Sequence, residues 1–222
     1  MLYETETYNL DKVLSFQDKR YVAKEASTVI TENISSKIYK CLSVVNGTDD
    51  LFPIEKVVAE WHKKFSDVVV IGTGGSSLGA AATTALKSNF QGVCTPHYLD
   101  NLDTLALRDI VDGFDFSKTG FLVISKSGTT VEVISQMLVL LDILEQKVGQ
   151  ERAAAQVAVI TVDDPSTLRN LALEKGCLVF DCDRNISGRY SIFSNVAAMP
   201  AILAGCNMKE MRKGAKIVLK NF

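Results

Sequence analysis

The chain has 222 residues, 47% of them hydrophobic, with 24 Lys and Arg against 26 Asp and Glu for a net charge of −2. That is enough apolar material for one large domain, or for one domain with a modest appendage. So small a net charge gives no long-range field toward nucleic acid or an anionic membrane, so neither is expected as a partner and any anion site has to be local.

The first residues, MLYETETYNLDKVL, have neither the basic start nor the apolar run of a signal peptide. No later apolar run reaches the roughly 20 residues of a membrane span, and a soluble, cytoplasmic protein is expected. Residues 8–45 alternate polar and apolar at helical spacing without Pro or Gly, which predicts one or two amphipathic helices. The turn-rich NGTDDLFP closes them. From Ser66 the pattern changes to short β-rich runs, VVVIG, HYLD, GFLVIS, VAVITV and CLVFD, with helical periodicity near 76–88, 103–111, 129–147 and 166–175 between them. Five such strands imply right-handed βαβ crossovers and a doubly wound three-layer α/β/α sandwich on a five-stranded parallel sheet. After Asp181 the strand rhythm stops. The loop DRNISGR, an apolar helix YSIFSNVAAMPAILAG and a polar helix from near Met208 complete the chain. Cys41, Cys94, Cys177, Cys182 and Cys206 are odd in number and lack CxxC spacing. They read as reduced core thiols rather than a disulfide framework or a zinc site.

Ligands of such sheets gather at the carboxyl ends of the strands. The loop after the first strand, GTGGSSLGA, sets glycines where a backbone approaches a ligand closely and a helix start offers unpaired N–H groups. By its letters, Gly72, Gly74 and Ser77 approximate a GxGxxG dinucleotide fingerprint with serine in the third place, and Asp100 lies beyond the usual acidic position. A plain βα turn uses the same glycines. The loop after the third strand, SKSGTT, repeats the design with hydroxyls. Ser125, Ser127, Thr129 and Thr130 can donate to a small tetrahedral anion while Gly128 tightens the turn, and Lys126 either adds a point charge or points to solvent or a carboxylate. A capping box from Thr129 to Glu132 is the competing use of those letters, but one cap needs one hydroxyl. Arg189, in SGRYS, could steady an oxyanion or pair with Asp183. His62 and His97 precede or begin strands, away from the carboxyl ends, and Asp100, Asp103, Asp163 and Asp164 read as caps or turns.

Together these segments resemble the glucose-6-phosphate isomerase family. GTGGSSLGA is similar to its GIGGSxLG loop, SKSGTT to its phosphate loop, and SGRYSIFSNVAAMPAILAG to its GGRYS segment and following helix, in the family's order from Val68 onward. The resemblance implies a sugar isomerase (SIS) domain over residues 66–205, preceded by a helical segment over 1–65 that packs on it and followed at 206–222 by the start of a helical connection. It also implies that Gly75 and Ser76 contact a sugar phosphate, glucose 6-phosphate or fructose 6-phosphate, and that Ser125 to Thr130 cradle its phosphoryl group. Arg189 would steady the enediolate formed as a proton moves between C2 and C1. That is the isomerisation of glycolysis and gluconeogenesis, which needs no metal or organic cofactor. Ser187 departs from the family's glycine. The family's glutamate base, histidine and lysine come from a second, similar domain with no matching motif here, so this chain alone is expected to bind without turning over. A stand-alone sensing module is the alternative, a dinucleotide binder a third possibility. The resemblance further implies a homodimer, with the apolar helix 191–204 available to a partner or to the second domain.

Overall fold

β-Branched residues crowd three short runs and aromatic or other apolar residues two more, and each becomes a strand. These are β1 Asp67–Ile71, β2 Thr95–Leu99, β3 Thr119–Ile124, β4 Val157–Thr161 and β5 Leu178–Asp181. The computed structural model describes residues 39–87, 89 and 92–220, preceded by 21, 22, 24–29 and 32. Every strand pair is parallel, and the spatial order is β2-β1-β3-β4-β5. Registers such as Ile71 with Leu99 and Val123, Ile124 with Ile160, and Thr161 with Asp181 bring the carboxyl ends level along one edge.

Alternation along the strands splits the core into two. Val69, Ile71, Phe121, Val123, Val157 and Val159 point to one face, where they meet α3 (Thr104–Gly113), α4 (Val131–Val148), α5 (Gln150–Ala155) and α6 (Thr167–Glu174). Val68, Val70, Leu122, Ile124, Ala158 and Ile160 point to the other, against α1 (Phe52–Trp61) and α7 (Asn195–Leu203). A strand buried on both faces has to be apolar throughout, which is why β3 and β4 read as continuous apolar runs. The seven-residue α2 (Leu78–Thr84) packs on α7 and completes that layer. The result is the doubly wound three-layer sandwich.

Two helices differ in detail from the sequence expectation. The helix α1 falls within the helical segment expected over 1–65, but the chain-order reading did not resolve it between the turn-rich segment and the first strand. Pro53 near its start and Ile54, Val58 and Trp61 at helical spacing are its signal. Ile54 and Val58 are at most 3% exposed, and each such burial is worth roughly 1.5–3 kcal/mol. The apolar helix starts at Asn195 rather than Tyr190, after a 3₁₀ turn over Gly188–Tyr190. Nor is that helix free for a partner. Val196 to Ala201 and Leu203 are buried within the chain, against α1, α2 and the sheet.

The final helix, α8 (Met208–Lys220), is held by Arg212, only 1% exposed. Its Nη1 and Nη2 donate to the two carboxylate oxygens of Asp50 at 2.6 and 2.7 Å. Its Nε and Nη2 reach the Phe193 carbonyl at 3.0 and 2.6 Å, and Nη1 the Gly47 carbonyl at 2.9 Å. Most of the helical expectation over 8–45 lies outside the described residues. Those described between 21 and 32 are helical, and Lys40–Ser43 makes one short turn. Among the described residues no helix is long and apolar enough to cross a membrane.

Candidate functional site: a crevice at the switch point of the sheet

The neighbours β1 and β3 send their chains in opposite directions, β1 to α2 on one face and β3 to α4 on the other. Their loops therefore diverge and leave a crevice at the carboxyl edge, where open α/β sheets take ligands. The order with β3 beside β1 is also not the six-stranded arrangement of a dinucleotide fold.

In the first loop the backbone folds back on its surroundings. Gly74 has φ of +56°, and the Ser77 hydroxyl turns inward to the Gly74 carbonyl at 3.2 Å, so the fingerprint's third position faces the fold. A side chain at Gly75 would collide with the Gly188 backbone, its Cβ 2.6 Å from that carbonyl oxygen. The Ser191 hydroxyl seals this contact, donating to the Gly188 carbonyl at 2.7 Å and lying 3.2 Å from the Gly75 carbonyl. The GTGGSS and SGRYS segments thus meet backbone to backbone.

In the second loop Gly128 adopts φ of +63°, and its N–H closes a turn on the Ser125 carbonyl at 3.1 Å. The Gly128 carbonyl accepts from the Leu168 N–H at 2.9 Å, and the Lys126 carbonyl from the Val162 N–H at 3.2 Å, so the loop is tied to its neighbour after β4. The Ser125 hydroxyl donates to Thr130 Oγ1 at 3.0 Å, and Ser127 Oγ lies 3.3 Å from the same atom. Among the described residues no side chain caps α4. The capping-box alternative is therefore not formed, and an 18-residue helix begins at the crevice with its first turn uncapped.

These loops line a cavity of about 560 Å³, within the range of small-ligand sites. Gly75 and Ser76 come from the first loop, Lys126, Ser127 and Thr130 from the second, and Gly188 from the third. Three residues singled out from the sequence stand behind or beside it. Ser125 is buried beneath Thr130, Gly128 packs against Ser166, and Thr129 is exposed outside the lining. Lys126 is half-buried and stands near Cys182, where its charge offsets part of the burial that pushes that thiol up to about 11. Arg189 follows Gly188, is exposed, and has no hydrogen bond or ion pair among the described residues. Its alternative partner Asp183 instead accepts from the Asn185 backbone at 2.8 Å and side chain at 3.1 Å.

The far wall was not recognised as part of a site in the sequence, where Asp164 reads as a cap or turn. Asp164 and Pro165 after β4 and Arg184 after β5 complete the lining, and Arg184 Nη2 is bonded directly to Asp164 Oδ2. The carboxyl-end rule that found the first two loops applies equally to these, and would have drawn attention to Arg184. A larger concavity, about 710 Å³, lies at the opposite edge beside Leu178. Glu145, Glu151 and Glu174 border it with Lys175, which makes it unsuited to an anion.

Neither histidine lines the crevice. His62 Nε2 is 2.8 Å from the Leu203 carbonyl, and His97 Nε2 is 2.9 Å from Asp67 Oδ1 at the amino end of β1. Burial pushes the Cys94 thiol up to about 12 and that of Cys177 to about 11, so both are protonated core groups at neutral pH.

Comparison with known proteins points to one family. The family model described as phosphoglucose isomerase matches residues 31–222. A glucose-6-phosphate isomerase of Carboxydothermus hydrogenoformans is 34% identical over 177 residues, 76% of this chain and 38% of that protein. One from Staphylococcus saprophyticus is 38% identical over 155 residues, 66% of this chain and 34% of that protein. The chain thus spans well under half the length of these relatives. Among solved structures, a hypothetical protein of Thermus thermophilus superposes with a TM-score of 0.79 at 23% identity, covering 91% of this chain and 50% of that one. A glucose-6-phosphate isomerase from Chlamydia trachomatis superposes with a TM-score of 0.59 at 25% identity, covering 74% and 31%.

Proposed function

The chain belongs to the phosphoglucose isomerase family, and from that premise we propose that it is the sugar-phosphate-binding part of a glucose-6-phosphate isomerase acting in carbohydrate metabolism. The observation that carries this is the convergence of GTGGSS, SKSGTT and SGRYS on one cavity at the β1/β3 switch point. Ser76, Ser127, Thr130 and the uncapped start of α4 offer donors to a phosphoryl group, with Lys126 as a nearby cation. Arg189, exposed beside the lining residue Gly188 and without a partner among the described residues, would stabilise negative charge developing on the sugar oxygens during enediolate formation.

Aldose–ketose isomerisation also needs a base within hydrogen-bond reach of C1 and C2. Among the described residues the cavity has one carboxylate, Asp164, already held by Arg184. The chain by itself therefore binds a hexose phosphate without turning it over. A homodimer and a cytoplasmic location belong to the same proposal, and sedimentation at micromolar concentration tests the first. The functional test is isomerisation of fructose 6-phosphate by the purified chain, with Arg189→Ala prepared identically to expose contaminating enzyme. Calorimetric binding without turnover in either sample is expected. Turnover in the unsubstituted chain that Arg189→Ala abolishes would place a base inside these residues and overturn the binding-only assignment.

A further inference from the structure

We propose that Arg184 is a second phosphate-binding cation of this cavity, and that Asp164 holds it in reserve until a dianionic phosphate monoester arrives. The inference rests on the proposed function, since it assumes that the SKSGTT cradle receives a phosphoryl group. It begins from an oddity of charge. A carboxylate lining a phosphate pocket repels its ligand, yet Asp164 lines this one together with the two cations Lys126 and Arg184.

The backbones under the pair are fixed. Asp183 Oδ1 accepts from the Asn185 N–H at 2.8 Å, its carbonyl accepts from the Ile186 N–H at 3.1 Å, and Ile186 is 5% exposed, so the turn carrying Arg184 is pinned. On the other side, the loop carrying Asp164 runs from Val162, tied to Lys126, to the cap of α6 at Ser166. Arg169 joins the two loops, pairing with Asp163 at 2.9 Å and Asp181 at 2.7 Å. What remains free to move is the pair of side chains, 65% and 42% exposed.

An ion pair that exposed is worth at most about 1 kcal/mol, so exchanging it costs little. A phosphate dianion offers a guanidinium two charges and a matched pair of oxygens, against one charge on Asp164. Arg184 therefore transfers to the phosphate, and Asp164 turns to water. An uncharged sugar offers no such exchange. The pair thereby selects phosphorylated over unphosphorylated ligands.

The test is calorimetric titration of fructose 6-phosphate into the unsubstituted chain, Arg184→Gln and Asp164→Asn, with circular dichroism confirming that each is folded. Arg184→Gln should weaken binding about tenfold, equivalent to about 1.4 kcal/mol. Asp164→Asn, which removes both the competitor and the repulsion, should tighten it about threefold. Opposite signs are the signature, because a merely structural strap is broken equally by either substitution. Binding by the unsubstituted chain that the two variants change in the same direction, or by less than about twofold, overturns the inference alone. No binding by the unsubstituted chain overturns the proposed function and this inference with it.

Discussion

A methyl group at Gly75 would lie 2.6 Å from the carbonyl oxygen of Gly188, so two loops far apart in sequence share a contact that only glycine permits. Gly75→Ala must push them apart. Overpacking of this kind costs about 1–3 kcal/mol, and the shift of Ser76 and Gly188 should weaken fructose 6-phosphate binding by at least about tenfold. Urea unfolding and calorimetry on one preparation check both, and an unchanged affinity would separate the contact from the site. Gly128 is constrained twice, by its positive φ and by Ser166, whose Cβ would stand 2.6 Å from an added methyl group. The letters GTGGSS and SKSGTT announce loops that approach something closely. They do not say which glycine meets a ligand and which meets the chain, because Gly188 and Ser166 become neighbours only once the sheet is assembled.

Among the elements, α8 is anchored by Arg212 together with Met208, which is buried against Leu51, Ala198 and Ala201. Arg212→Ala would leave the Phe193 and Gly47 carbonyls without their donor, while Asp50, 44% exposed, can rehydrate. The loss is therefore dominated by unsatisfied carbonyls, about 3 kcal/mol, and Arg212→Lys should recover only part of it because an ammonium cannot span both Asp50 and Phe193. Urea unfolding measures the change, and faster amide exchange confined at first to α8 would locate it. The strands were legible because short β-branched or aromatic runs between turn residues have few other uses. β2 was read short. Its true start, Thr95–Pro96, carries a proline tolerated on an edge strand. The start of α7 was misread because Ser191 and Ser194 spend their hydroxyls on local turns, Ser194 donating to the Ser191 carbonyl at 2.8 Å. Composition cannot show that diversion.

Across the whole molecule, parallel strands and a site at their carboxyl ends follow from the alternation of β-rich and helical runs. The order β2-β1-β3-β4-β5 does not, since no strand's residues name its neighbour. That order creates the crevice by parting the loops after β1 and β3, and it brings the loops after β4 and β5 round as a far wall. For this reason Asp164 reads as a cap or turn, and Arg184 was passed over. Their pairing exists only in the assembled sheet. The central claim is thus a location, the β1/β3 switch point rather than the larger acidic concavity at the other edge. Amide chemical-shift mapping of the isotopically labelled chain during titration with fructose 6-phosphate tests it most directly. Shifts gathered on Gly75, Ser76, residues 126–130 and Gly188 are predicted. Shifts gathered around Glu145 and Lys175, or none at saturating ligand, would contradict it.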